Sequence, residues 1–242
     1  MPSAFIDALL GGRLPIIMEV KRQDADGKQL MGERSIPEIV SQYIAVGPPC
    51  ISVVTGRWFG GTDDMLREVA GLTDLPLLKK DFITREKQLA AAKEMGASAI
   101  LLTARIMPKK PFQHLIELAL EHGLTPFVEI ADHEELERVV HAEDCIVAVN
   151  NKDIRTQERE PGDIDSSRSL LEAVIQTGTP APVSASAITD PRVAAELVAQ
   201  GFKGLLIGTG LLLADSVSGW VEEFERHRSA LTAAPLTGSE SR

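Results

Sequence analysis

Eight short, nearly uninterrupted apolar runs recur along the chain: "PIIMEV", "CISVV", "LPLLKK", "AILLTA", "TPFVEI", "CIVAVN", "APVSAS" and "GLLIG". Runs that are continuous rather than alternating suit strands buried on both faces, as in a parallel sheet. The segments between them carry a helical period, among them "SIPEIVSQYIAVG", "DDMLREVAGL", "PFQHLIELALEHG", "HEELERVVHA" and "DPRVAAELVAQG", and several close on glycine, the usual residue just past a helix end. Eight strand-helix units in one chain predict an α/β fold, a single (β/α)8 TIM barrel over residues 1–230. The competing doubly wound sheet often shows a glycine-rich turn after its first strand, where this chain reads "KRQDADGK". The tail "TAAPLTGSESR" is small and polar, and residues 231–242 are expected to be disordered.

The same pattern directs attention to the polar residues that end each run, because barrels of this kind place their chemistry at the C-terminal ends of the strands. "PIIMEVKR" brings Glu19 and Lys21 onto one face of the first strand, since successive side chains alternate sides. "PLLKKDF" places Lys80 with Leu78 and Phe82, "PFVEI" contributes Glu129, and "AVNNKD" contributes Asn150. Each charge alone has a bland reading as part of a structural ion pair. Four of them at the ends of three strands are better explained as acid, base and substrate-binding groups. Cations near Lys80, Lys79 among them, would lower its pKa toward use as a general acid. The turn after the last strand, "GLLIGTGLL", has the form of a phosphate cradle built on Gly208, Thr209 and Gly210.

Composition narrows the class of partner. The chain has 242 residues, 44% hydrophobic and 25% charged, which is ordinary globular material. A formal net charge of −10 argues against nucleic acid and anionic membranes and for a small-molecule substrate. The N-terminal residues lack a signal-peptide pattern, and no window approaches the roughly 18 apolar residues that span a bilayer, so a soluble cytoplasmic protein is expected. Cys50 and Cys145 lie in separate apolar runs and are read as reduced, buried thiols. Five histidines in polar helical segments show no paired ligand spacing, and no metal is expected. The sequence carries no signal for an oligomeric state.

Taken in order, "IIMEVKR", "LLKKDFI", "GASAILLTA", "PFVEIADHEELERV", "IVAVNNKDI" and "GLLIGTGLL" resemble indole-3-glycerol phosphate synthase over most of residues 14–215. The resemblance implies a carboxy-lyase of tryptophan biosynthesis that closes a carboxyphenylamino-deoxyribulose phosphate into an indole, with loss of CO2 and water and without a cofactor. It casts Lys80 as general acid, Glu129 as general base, Lys21 as the group that holds the substrate carboxylate, Glu19 as the residue orienting the lysines, and Asn150 as a ligand of a sugar hydroxyl. Phe82, with Trp58 or Phe59, would pack on the aromatic ring. Lys152, Ser186, Gly208 and Thr209 would bind substrate on the phosphate side.

Departures from the family pattern gather on that phosphate side. The family's "KRxSPSKG" reads "KRQDADGK" here, and a phosphate near Asp24 or Asp26 would meet a penalty of roughly 1 to 4 kcal/mol at intermediate dielectric. "SESGI" reads "SASAI", so that Ala185 replaces a glutamate and Ala187 a glycine. Lys152 stands where arginine is usual, keeping charge but losing the planar fork. About a dozen residues precede the first strand, against a longer family extension whose helix covers the substrate. Two alternatives follow: a paralogue acting on a modified or unphosphorylated substrate in specialised metabolism, and a barrel that binds a ligand without chemistry.

Overall fold

A computed structural model describes residues 3–152 and 162–233. Eight parallel strands close on themselves in sequence order: β1 (Ile16–Val20), β2 (Cys50–Val54), β3 (Leu77–Lys80), β4 (Ala99–Thr103), β5 (Thr125–Ile130), β6 (Ile146–Asn150), β7 (Ala181–Ala185) and β8 (Gly204–Ile207). Ile16 pairs with Leu205 and Met18 with Ile207, which shuts the barrel. The (β/α)8 fold read from the periodicity is therefore the observed one.

The helices are α1 (Ala4–Gly11), α2 (Ile36–Val46), α3 (Asp63–Ala70), α4 (Lys87–Glu94), α5 (Lys109–Glu121), α6 (His133–Leu136), α7 (Asp165–Gln176), α8 (Pro191–Gln200), α9 (Thr209–Leu212) and α10 (Val217–Ala233). Local chemistry sets their ends. Ser35 and Glu38 form a reciprocal capping box at the start of α2, and Gly47 ends it at a φ of 73°, in the left-handed region. Asp190 caps α8 just before Pro191.

Outward-facing strand residues such as Met18, Val53, Ile100 and Val147 pack under the helices in one continuous cluster. A second cluster fills the barrel with Ile17, Leu78, Leu101, Phe127, Ala148, Val183 and Leu206. Phe5, Ile6 and Leu9 of α1 join this interior set, and the Cys50 thiol donates to the Phe5 carbonyl at 3.5 Å. The short helix thus closes the N-terminal end of the barrel, opposite the strand ends that carry the polar residues. The residues before β1, expected to leave the substrate largely uncovered, have a structural task as this floor.

Two expectations need correction. The helical pattern of "HEELERVVHA" yields only the four residues of α6. Glu135 lies within this turn, its carboxylate accepting the Ala131 N–H at 2.8 Å and pairing with Arg105, and His141, at a φ of 53° in the left-handed region, breaks the helical period before the end of the segment. At the other end, α10 runs to Ala233, so residues 231–233 belong to the barrel's last helix rather than to a tail. The rest of the expected tail, residues 234–242, lies outside the described residues.

Both cysteines are free and buried. Burial pushes both thiols up, that of Cys145 to about 12 with help from the nearby charges of Asp144 and Glu143. Neither thiol should react with a disulfide reagent within minutes at pH 8 in the native protein, and both should react after unfolding; rapid native labelling would contradict this packing.

Candidate active site

The inward-facing polar residues at the strand ends assemble around one carboxylate. Glu19 of β1 is 3% exposed, and its Oε2 receives the Ser52 hydroxyl at 3.2 Å and faces Lys80 Nζ at 3.3 Å. Ser52 is the register partner of Glu19 on β2, so the two side chains share a face by construction. The β1 backbone is fixed from the outside by Tyr43, whose hydroxyl donates to the Glu19 carbonyl at 2.9 Å. Burial and then the Glu19 charge hold that phenol well above its ordinary pKa. On the far side, Gly208 leaves room for Glu19: a β-carbon there would lie 2.6 Å from Glu19 Oε1.

The second carboxylate, Glu129 of β5, is 2% exposed, and its Oε1 accepts from the Asn150 amide at 3.0 Å. Asn150 in turn accepts from the Lys152 N–H at 3.0 Å, which links the base candidate to the β6 loop. Lys21 lies over the Phe59 ring, 4.1 Å from its centroid, a geometry that stabilises an ammonium by cation–π attraction. Trp58 meets Phe82 edge-on, with centroids 5.4 Å apart, and is itself 62% exposed at the rim.

Two adjoining recesses result. One, of about 520 Å³ including its opening, is lined by Glu19, Lys152, Ser186, Ala187, Gly208 and Thr209. The other, of about 390 Å³, is lined by Phe59, Phe82, Leu101 and Glu129. Lys21 and Lys80 belong to both. A polar recess and an aromatic one therefore share two ammonium groups, an arrangement suited to a substrate that is anionic at one end and aromatic at the other. Every residue singled out in the sequence lies at this end of the barrel, with Trp58 at its edge.

Lys79 turns away from Lys80. Alternation turns it to the other face, where its Nζ donates to Thr55 Oγ1 at 2.8 Å, bonds Asp63 and lies 3.6 Å from Asp81. Its cation is spent on tying β2 to β3, and Asp81 accepts the Phe82 N–H at 2.8 Å within the same network. Ser52, Tyr43 and Asp81 were not singled out in the sequence. The alternation of "CISVV" could have revealed Ser52, whereas the other two act through contacts that only the folded chain creates. Among the described residues, no group of three or more His, Cys, Asp or Glu is placed to hold a metal ion.

The family model described as indole-3-glycerol phosphate synthase matches residues 2–224. The chain belongs to this family. An indole-3-glycerol phosphate synthase of Staphylococcus aureus is 31% identical over 93% of this chain and 85% of its own length. The corresponding protein of Bacteroides thetaiotaomicron is 36% identical over 83% of this chain and 75% of its own. A tryptophan biosynthesis protein, TrpCD, of Archaeoglobus fulgidus is 33% identical over 92% of this chain, which spans 40% of that longer relative.

Within this member of the family, the phosphate-side departures take definite physical form. Asp24 does not face the recess: its Oδ1 accepts from the Asp26 and Lys28 N–H groups at 3.0 and 2.9 Å, closing its own turn. Neither Asp24 nor Asp26 lines either recess, so neither is among the groups that would touch a phosphate bound there. Ala185 packs its methyl in the barrel interior. Ser186 and Ala187 adopt φ values of 68° and 59°, in the left-handed region, and the Asn151 amide fastens this turn by donating to the carbonyls of Ala185 and Ser186 at 3.0 and 3.1 Å.

Ala187→Gly should relieve the left-handed strain and raise stability by roughly 1 kcal/mol in denaturant titration; a loss would contradict the assigned backbone. Gly208→Ala should do the reverse, because the new methyl collides with Glu19. Overpacking of this kind costs about 1 to 3 kcal/mol, and an unchanged unfolding midpoint would contradict the close approach.

Proposed function

We propose that this chain catalyses ring closure of a carboxyphenylamino-deoxyribulose 5-phosphate to indole-3-glycerol phosphate, releasing CO2 and water. The observation that carries the reading is the pair of recesses joined by Lys21 and Lys80, with a buried carboxylate serving each. The names of the relatives agree with it.

In this reading Lys80, held by Glu19, donates its proton to the sugar carbonyl oxygen as the carboxyl-bearing ring carbon attacks the carbonyl carbon. The carboxylate, bound by Lys21, then leaves as CO2, and its electron pair returns to the ring. Loss of the new hydroxyl as water, assisted by Lys21, and removal of a ring proton by Glu129 complete the indole. Phe59, Phe82 and Leu101 would wall the aromatic ring, excluding water from the charges that develop. Asn150 is assigned to orienting Glu129, in keeping with its hydrogen bond, in addition to the sugar contact that the family resemblance implies. Lys152, Ser186, Gly208 and Thr209 would meet the phosphate, where exposed backbone N–H groups and an ammonium favour a dianion.

A second reading, the same chemistry on a substrate without phosphate, draws on the Ala187 methyl that lines the polar recess. Purified protein incubated with the phosphorylated substrate should generate indole fluorescence, and Lys80→Ala should reduce kcat by about a hundredfold or more. Turnover that survives this substitution would contradict the assignment of Lys80. Turnover confined to the dephosphorylated substrate would favour the second reading.

A further inference from the structure

Thr103 ends β4 and has no part in the chemistry described above. It shares the inward face with Ala99 and Leu101, both of which belong to the barrel-interior cluster. In the β4–β5 register it is the direct partner of Glu129. The residue is 2% exposed, and among the described residues its hydroxyl has no hydrogen-bond partner. A buried hydroxyl without a partner is costly at a position that valine would fill with the same shape, so its presence calls for a use.

We propose that Thr103 is a positioning residue for Glu129, its hydroxyl turning onto the carboxylate from β4 while the Asn150 amide holds the same carboxylate from the β6 side. This rests on the reading of Glu129 as the base. Register has already placed the two residues side by side on the inner face, and rotation about the Cα–Cβ bond would turn the hydroxyl toward the carboxylate. A threonine hydroxyl donates to an ionised carboxylate and so favours its proton-accepting form. The other polar groups around Glu129 are Lys21 from the end of β1, Lys80 and Asp81 from the end of β3, and Asn150 from β6. None of them comes from β4, so Thr103 is the polar side chain that this strand offers to the base.

Thr103→Val and Thr103→Ser test this, with the carboxyphenylamino-deoxyribulose phosphate as substrate. The valine variant should fold normally, lose about five- to tenfold in kcat with KM changed less than twofold, and move the acidic limb of the kcat/KM profile to higher pH; the serine variant should restore both. A folded valine variant with unchanged kcat and an unchanged acidic limb would overturn the proposal. A second measurement does not depend on turnover: carbon-13 titration of the Glu129 carboxyl, assigned with Glu129→Gln. It should show a higher midpoint in Thr103→Val than in wild type, and identical midpoints would also overturn the proposal. Absence of wild-type turnover would instead defeat the proposed reaction, leaving the titration to decide the contact.

Discussion

The site depends on holding one carboxylate, Glu19, stationary in a place with almost no water. A charge so buried is tolerable only when opposite charge and hydrogen bonds surround it. Lys80 and Ser52 supply these on a single oxygen, at 3.3 and 3.2 Å. The surroundings are built to permit this. Gly208 gives up its side chain so that the other oxygen fits, and Tyr43 pins the strand that carries it. Removing any one of these leaves a buried charge or a moving strand, which explains why the requirement reaches from β1 through β2 and β3 to the turn after β8.

The same economy governs the rest of the strand ends. Charges that face inward are paired with groups aimed at a reacting molecule, and charges that face outward hold the loops in place. Lys79 and Lys80 are adjacent in sequence and divide along this line: one joins Thr55, Asp63 and Asp81, and the other meets Glu19. Phe82 is held through its own N–H by the outward network, so the loop bonds also set an aromatic wall of the recess. In the proposed reaction, positioning and chemistry thus fall to neighbouring residues.

The fold was legible because buried parallel strands are continuous apolar runs, and the sequence boundaries of β5 match those observed to the residue. The strand-end residues were legible in part for the same reason, since a period of two sets Glu19 with Lys21 and Lys80 with Leu78 and Phe82, but which of Lys79 and Lys80 points inward depends on the register that only the folded barrel fixes. What escaped was whatever depends on a distant partner. The helical period of 133–142 gave no sign that His141 would take a left-handed φ or that Glu135 would pair with Arg105. Asp24 read as a threat to phosphate because sequence proximity cannot show a carboxylate folded back onto its own turn. Thr103 looked like an ordinary strand residue until the register set it beside Glu129.

In the proposed reaction Glu19 acts through Lys80, and Glu19→Gln tests this most directly, because the amide keeps the shape and removes the charge. Turnover of the carboxyphenylamino-deoxyribulose phosphate should fall by about a hundredfold or more in a variant that remains folded, with substrate still bound. Near-wild-type kcat in a folded Glu19→Gln protein would contradict the central role given to this carboxylate.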